Sequence, residues 1–363
     1  MKTPVRILQA TVILALAAVS SLHAGSDAQP WTWRAPLPQG NTLKAAAYSP
    51  PLDTVVAVGE YGAVMTKTAN GTWTSKVLGT TDVVHYSSTY YGATWTGSRF
   101  IILSEDGMRY STDGSTWTLL PSAVSKVAPN FLASSANSTV ALGWNGPAWV
   151  SSDAERKVWK KLSLPALPRV NNAGSFTGSG DRTGYYDDIS TDGNKTFVAV
   201  GTGGTIVTSL DDGKTWKKIA SNTELPIASV ASNGSGFVAV GSSWNSTTNQ
   251  NATVILKSAD GVTWSSGTAP ISDNFGSAVN FSRVFARGSG YVASSSGECF
   301  TSPDGSTWTS IGMLNPDDWS DWILGSVRTT SGNNSTILVG GAGMVASLDD
   351  TGGFLTEITA DIG

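Results

Sequence analysis

The 363-residue sequence predicts an all-β protein, and three observations support this fold class. Glycine is abundant, at 40 residues, and the polar residues are mainly Ser, Thr and Asn, a mixture typical of short strands joined by turns. Apolar runs that end in glycine recur along the chain, and so does a short Ser-x-Asp-Gly-x-Thr-Trp motif. Long amphipathic helices are not expected from this composition.

The recurring apolar runs predict strands that are buried on both faces. They span residues 54–59, 197–201, 237–241 and 336–340, and each is rich in Val, Ile or other apolar residues before its final glycine. A continuous apolar run has no polar face for solvent, so both of its faces must pack against other sheets. The sequence therefore predicts sheets that stack side by side.

The Ser-x-Asp-Gly-x-Thr-Trp motif occurs in four clear copies and three degenerate ones. The clear copies contain Asp113 and Trp117, Asp211 and Trp216, Asp260 and Trp264, and Asp304 and Trp308. The degenerate copies span 66–73, 151–159 and 347–354, with Phe354 in place of Trp in the last. The seven aromatic positions are 44, 42, 57, 48, 44 and 46 residues apart, which is enough for four short strands and their turns.

These seven units predict a seven-bladed β-propeller of four-stranded antiparallel blades, because ring closure protects the strand edges. Residues 25–363 are then one domain. The ends leave one question open, because residues 31–34 and residues 354–358 can each occupy the outer strand of the last blade. We expect residues 31–34 to pair there and close the ring.

Each motif copy reads as a turn between two strands. The Asp carboxylate and the Ser and Thr hydroxyls can hydrogen-bond to the loop backbone, and Gly can adopt positive φ. The Trp that follows can bury its ring between neighbouring sheets. A catalytic or calcium-binding carboxylate would not need to recur in every blade, so we expect these residues to be structural.

The motif resembles the Asp-box, or BNR, repeat of the sialidases, the sortilin group and the photosystem II assembly factor family. Residues 198–216 carry the strongest likeness, in the cadence of the apolar strand, the glycine loop and the Asp-Gly turn. The resemblance implies a propeller whose boxes lie on the face away from the ligand. Its likeness to the assembly factors favours a protein partner.

The first 24 residues have the pattern of a secretory signal peptide, with Lys2 and Arg6 before an apolar stretch that ends at Ala24. We therefore expect an exported, secreted or periplasmic monomer without a membrane span after cleavage. The net charge of −4 argues against nucleic acid as a partner. One cysteine and two histidines exclude a zinc cluster, and we expect no metal and no cofactor.

Binding residues are expected on the loops opposite the Asp-Gly turns. Exposed indoles beside carboxylates or amides suit either a glycan or a protein partner. The candidates are Trp144, Trp244, Asp318, Trp319 and Trp322. The alternative for Trp319 and Trp322 is that they simply pack against the next blade. Asp187 and Asp188 are expected in a solvated acidic loop rather than at a cation site.

The alternative function is that of a carbohydrate-active enzyme. A sialidase-like glycoside hydrolase could use Arg182 for a carboxylate sugar and Tyr185 or Tyr186 as nucleophile. A polysaccharide lyase could use His85 as acid or base. No spacing identifies either set, so the sequence favours a binding or assembly module, recognising a protein or glycan partner through the loop face.

Overall fold

The computed structural model describes most of the chain from residue 41 onward. The described residues are 41–69, 71, 73–78, 89–104, 107–120, 129–170, 182–245, 250–271, 278–295, 298–313, 323–328, 336–341, 345–348 and 354–358. Thirty strands lie within these ranges, and the described residues contain no α-helix. No helix among them is long and apolar enough to span a membrane.

Twenty-eight strands form seven four-stranded antiparallel sheets, as the sequence predicts, and the fold is a seven-bladed β-propeller. Each blade consists of four consecutive strands, numbered outward from the centre. Blade 1 consists of β1 (Leu43–Ser49), β2 (Thr54–Gly59), β3 (Ala63–Lys67) and β4 (Trp73–Val77). Blade 2 consists of β5 (Tyr90–Trp95), β6 (Phe100–Ser104), β7 (Gly107–Ser111) and β8 (Thr118–Leu119). Blade 3 consists of β9 (Pro129–Ser134), β10 (Thr139–Gly143), β11 (Ala148–Ser151) and β12 (Lys160–Leu162).

A two-stranded hairpin of β13 (Arg169–Val170) and β14 (Arg182–Thr183) follows blade 3. Blade 4 consists of β15 (Tyr186–Thr191), β16 (Phe197–Gly201), β17 (Thr205–Ser209) and β18 (Lys217–Ile219), and blade 5 of β19 (Ser229–Ser232), β20 (Phe237–Asn245), β21 (Gln250–Ser258) and β22 (Ser265–Ser266). Blade 6 consists of β23 (Arg283–Arg287), β24 (Gly290–Ser295), β25 (Glu298–Ser302) and β26 (Thr309–Met313). Blade 7 consists of β27 (Ile323–Arg328), β28 (Thr336–Gly340), β29 (Val345–Leu348) and β30 (Phe354–Ile358).

The core consists of apolar layers between neighbouring blades. Alternate residues of β16 show why the apolar runs are continuous: Phe197 and Ala199 pack against blade 3, whereas Val198 and Val200 pack against blade 5. Equivalent buried clusters fill the other blade boundaries, including that between blades 7 and 1. Each second strand is thus buried on both faces, as predicted.

The ring closes by packing of β1 against β27 and β28. Blade 7 takes its outer strand from the C-terminal part of the chain, because Phe354 pairs with Leu348 and β30 runs antiparallel to β29. Residues 354–358 therefore form the outer strand of the four-stranded blade 7, and residues 31–34, which we expected to pair there, lie outside the described part of the chain.

The recurring Asp motifs form turns between the third and fourth strands, which we call the aspartate turns (residues 111–117, 151–159, 209–216, 258–264 and 302–308). In the first of them Ser111 Oγ donates to Asp113 Oδ1 at 2.7 Å, and the backbone N–H groups of Ser115 and Thr116 donate to the same oxygen at 2.7 Å. Gly114 N–H donates to Ser111 Oγ at 2.8 Å and has φ of 76°. The carboxylate thus organises its own turn.

The aspartate turns also join neighbouring blades. Thr66 Oγ1 of blade 1 donates to Gly114 O of blade 2 at 2.7 Å, and Thr208 Oγ1 of blade 4 donates to Gly261 O of blade 5 at 2.6 Å. Trp216 is 8% exposed, packs in the layer between blades 3 and 4, and donates from Nε1 to Gly213 O at 2.9 Å. These turns therefore contribute to both blade geometry and blade packing.

Candidate functional site

The aspartate turns and the candidate loops lie on opposite faces of the ring. Strand direction alternates along each blade, so the turns between third and fourth strands share a face with those between first and second strands. The loops between second and third strands, together with the connections between blades, form the other face. We call it the channel face, because the inner strands start there around a central channel.

A β-bulge recurs near the start of the inner strands. In blade 4, Tyr186 pairs with Gly201 and Asp188 pairs with Val200, so Asp187 is an extra residue without a partner in the ladder. Five blades have this register shift. Their extra residues are Lys44, Tyr91, Asn130, Asp187 and Leu324. Bulges of this kind redirect side chains and are common beside functional sites.

Glycines that end second strands make room for the chain that enters the inner strand, in blades with and without the bulge. A Cβ atom on Gly201 would lie 2.1 Å from Tyr185 O, and one on Gly59 would lie 2.0 Å from Thr42 O. Gly241 is in the same position against Pro226 O, at 2.1 Å. The recurrent glycine of the apolar runs is thus explained by the close approach of the chain entering the inner strand.

All five bulge residues line the central channel, a cavity of about 550 Å³. Its wall is built from the inner strands of all seven blades. Small residues such as Gly92 and Gly325 lie beside charged ones, so the lining differs strongly from blade to blade. The charged residues of the lining are Lys44, Asp187, Asp188 and Arg283.

Two adjacent acids on β15 have different environments. Asp188 accepts hydrogen bonds from Ser229 Oγ at 2.7 Å, from Ile189 N–H at 2.8 Å and from Val230 N–H at 3.1 Å. The Asp187 carboxylate has no hydrogen-bond partner among the residues that the structure describes. Burial raises the pKa of Asp187 to about 7, and the positive charge of Arg283 only partly offsets this.

This geometry corrects the expectation for the acid pair. Asp187 and Asp188 belong to a strand that lines the channel, and are not in a solvated loop. The pKa of Asp188 is also raised by burial. The positive charge of Arg283 and the hydrogen bonds that Asp188 accepts lower this pKa but do not cancel the effect of burial. The bulge brings both carboxylates to the wall of the cavity, an arrangement that the alternation of a regular strand would not produce.

The basic groups of the lining are held away from the acids. Arg283 Nη1 donates to Ala228 O at 2.9 Å, and Arg283 has no ion pair with either aspartate among the described residues. Lys44 Nζ pairs with Glu60 Oε1 at 2.8 Å. With the Lys44 and Glu60 charges balanced, two acids face one guanidinium, so the lining has an excess of carboxylate.

An aromatic pair lies beside the channel, and one of its two residues lines the cavity. Trp144 lies in the loop between β10 and β11, is 48% exposed and lines the cavity. Its ring centroid is 4.7 Å from that of Tyr185, with the ring planes tilted by 43°. The pair spans two blades, because Tyr185 belongs to the connection that enters blade 4.

The backbone holds both rings in place. Trp144 N–H donates to Asn130 Oδ1 at 3.0 Å, and Trp144 O accepts from Tyr186 N–H at 2.9 Å. Tyr185 N–H donates to Thr202 Oγ1 at 2.9 Å, and Thr202 N–H donates back to Tyr185 O at 3.0 Å. These bonds fix the backbone from which both rings project, so less of the chain has to be ordered when a ligand binds.

The other predicted site residues are in varied positions. Tyr186 is fully buried and its hydroxyl donates to Pro165 O at 3.3 Å, so it packs in the core rather than facing a ligand. Burial raises the pKa of the Tyr186 hydroxyl above its ordinary value. The backbones of Arg182 and Trp244 lie in β14 and β20, and their side chains are outside the described part. His85, Asp318, Trp319 and Trp322 also lie outside the described residues.

Metal binding requires several ligand side chains in one place. Within the described residues, no group of three or more His, Cys, Asp or Glu side chains comes together. Cys299 is buried, and burial raises the pKa of its thiol to about 12.

The chain matches no protein-family profile and no curated protein in sequence. It is similar in structure to YCF48 bound to D1 peptide, at 17% identity and a TM-score of 0.60, over 89% of this chain and 95% of that one. YCF48 from Cyanidioschyzon merolae is similar over 87% of this chain and 98% of that one, at 16% identity and a TM-score of 0.59. An ancestral GH74 enzyme has a TM-score of 0.61 at 13% identity, over 87% of this chain and 46% of the enzyme. At these identities the comparisons establish the propeller fold alone.

Proposed function

We propose that this protein is a binding or assembly module that recognises a segment of a protein partner on the channel face. The observation that carries the proposal is the contacting ring pair of Trp144 and Tyr185 beside an open, charged cavity. Accessible Trp and Tyr side chains are among the residues that most often dominate protein recognition. The similar fold of YCF48, whose solved complex holds a D1 peptide, supports a peptide as the ligand.

The experiment is a peptide array probed with the full chain and two variants. We expect the peptides that bind to the native protein to lose at least tenfold in affinity for Trp144→Ala. Leu210→Ala is the matched control, because Leu210 is 57% exposed but lies in an aspartate turn on the opposite face. Equal losses in both variants, or no loss in either, would contradict a site at the aromatic pair.

A carbohydrate-active enzyme is the second candidate, and one observation favours it. Asp187 lines the channel with a pKa raised to about 7, which is suitable for a general acid, and Asp188 is beside it. The similar solved structure of an ancestral GH74 enzyme is an example of an enzyme that contains this fold. A glycan array with reducing-sugar and unsaturated-uronate assays tests this candidate. Product release that Asp187→Asn abolishes would replace the binding proposal.

We also propose that the recurring turns are Asp-box repeats and that the protein is an exported monomer. The turn geometry around Asp113 and Asp211 and the leader-like residues 1–24 support these proposals. N-terminal sequencing of protein from its host should begin at residue 25, and sedimentation should give one chain per particle. A chain that retains residues 1–24 would contradict export by cleavage.

A further inference from the structure

We propose that the central channel binds a cationic side chain of the partner peptide, placing its guanidinium or ammonium group between the Asp187 carboxylate and the ring pair of Trp144 and Tyr185. This inference rests on the proposed function and names the ligand chemistry at the same site. It assigns separate roles to the two acids and to the aromatic pair.

The first step concerns hydrogen bonding. Asp187 and Asp188 are neighbours in sequence, yet Asp188 accepts three hydrogen bonds and Asp187 has none among the described residues. A partly buried carboxylate without donors is unfavourable, since part of its hydration is lost without replacement. A donor supplied by a ligand would remove this cost. Guanidinium and ammonium groups are donors without acceptors, so they match a carboxylate that lacks any donor.

The second step concerns charge. Arg283 is directed to Ala228 O at 2.9 Å and Lys44 is paired with Glu60 at 2.8 Å, so neither neutralises Asp187 by direct contact. When both aspartates are ionised, one positive charge from the ligand, together with that of Arg283, would balance their two negative charges. An anionic ligand would instead meet an unpartnered carboxylate at the wall of the channel.

The third step concerns the aromatic pair. Trp144 lines the same cavity as Asp187, and Tyr185 precedes Asp187 by two residues. Burial, and then the negative charge of Asp187, raise the pKa of Tyr185, so the phenol is electrostatically coupled to that carboxylate. Aromatic faces attract cations, and indole is the strongest of them. An uncharged sugar would use the rings but would leave the carboxylate without a counter-charge.

The test uses two blocked pentapeptides, Ala-Ala-Arg-Ala-Ala and its citrulline analogue, which differ in charge but hardly in shape. Calorimetry with the full chain should show at least tenfold tighter binding of the arginine peptide. Asp187→Asn should reduce that preference to less than twofold. Glu224→Gln is the matched control, because Glu224 is an exposed acid in the connection between blades 4 and 5, on the same face but outside the lining.

The outcomes separate this inference from the proposed function. If neutral peptides from the array bind through Trp144 and the citrulline peptide binds as well as the arginine peptide, peptide recognition stands and the cationic site is overturned. An equal loss with Glu224→Gln would also overturn it, since the preference would then reflect the general charge of the face. Binding of calcium chloride alone that Asp187→Asn abolishes would replace the peptide cation with a metal ion.

A pH series gives a second readout. Asp187 titrates near pH 7, and the charged or titratable groups facing it are Asp188, Arg283 and Tyr185. Ionised Asp187 binds the cation, so the affinity for the arginine peptide should fall about tenfold from pH 8 to pH 6. A flat profile in the native protein would contradict the role of this carboxylate.

Discussion

Gly213 of blade 4 packs directly against Val140 of blade 3. A Cβ atom on Gly213 would lie 2.4 Å from Val140 Cγ2, which is far inside van der Waals contact. Gly213 also has φ of 79°, a conformation that other residues rarely adopt. The glycine of the aspartate turn is therefore required twice, once by the turn and once by the neighbouring blade.

Gly213→Ala should accordingly destabilise the protein by about 2 to 4 kcal/mol, the combined cost of positive φ and of overpacking. Gly193→Ala is the control, because Gly193 has φ of 80° but a Cβ atom added there would meet no atom within 4 Å. It should lose only about 1 kcal/mol. Urea denaturation measures both, and equal losses would show that the blade contact contributes nothing.

Trp216→Ala should cost roughly 3 to 5 kcal/mol, because the indole fills the layer between blades 3 and 4 beside Phe197. Trp144→Ala removes the same side chain from a site that is 48% exposed, so its loss should stay below about 1 kcal/mol. Chemical denaturation of the two variants checks this. A loss below about 1 kcal/mol for Trp216→Ala would contradict its structural role.

The repeated parts of the fold could be predicted from the sequence because each repeats a local rule. An apolar run such as 197–201 needs two buried faces, and an Asp-Gly turn needs its own hydroxyl and amide donors. The predicted blades are confirmed, whereas the sequence did not decide which segment forms the outer strand of blade 7, a position that residues 354–358 occupy. Nothing local distinguishes residues 31–34 from residues 354–358 as partners of β29, since both are short segments that mix large apolar residues with polar ones.

The channel lining was harder to predict because it depends on a bulge. The period of two in a regular strand would turn Asp187 and Asp188 to opposite faces, and the sequence has no signal for the extra residue. Gly201 could be recognised in the sequence as part of a repeat. The need for glycine at this position comes from the close approach of Tyr185 O, a contact between residues that are distant in sequence. Trp144 was predicted from its loop, whereas its pairing with Tyr185 joins two blades.

Removal of the Asp113 side chain should weaken its turn in a pH-dependent manner. Burial acts to raise the pKa of Asp113, but hydrogen bonds from Thr116, Ser115 and Ser111 outweigh it and lower the pKa to about 2. A carboxyl with a lowered pKa stabilises the folded state above its unfolded pKa, near 4, and that contribution is lost as the pH falls toward 2. Asp113→Ala should therefore cost about 1 kcal/mol at pH 7 and less at pH 2.5.

Asp113→Asn is the informative companion variant. The three donors reach Oδ1 of Asp113, so an amide oxygen can accept the same hydrogen bonds without the charge. We expect it to lose about half as much unfolding free energy as Asp113→Ala at pH 7. If both variants lose the same amount, the charge rather than the acceptor geometry stabilises the turn.

Asp187 should show the opposite pH dependence, because its pKa is raised to about 7 and not lowered. The folded protein holds a proton at Asp187 that the unfolded chain releases near pH 4, so native stability falls as the pH rises from about 4 to 7. Asp187→Asn removes this penalty. Relative to the native protein, the variant should gain about 2 to 3 kcal/mol between pH 5 and pH 8 in urea denaturation. The native protein thus retains Asp187 although its ionisation lowers the stability, and the ionised carboxylate is the form that would bind a cationic ligand. If the gain is the same at pH 5 and pH 8, Asp187 has an ordinary pKa and its carboxylate is hydrated in the free protein.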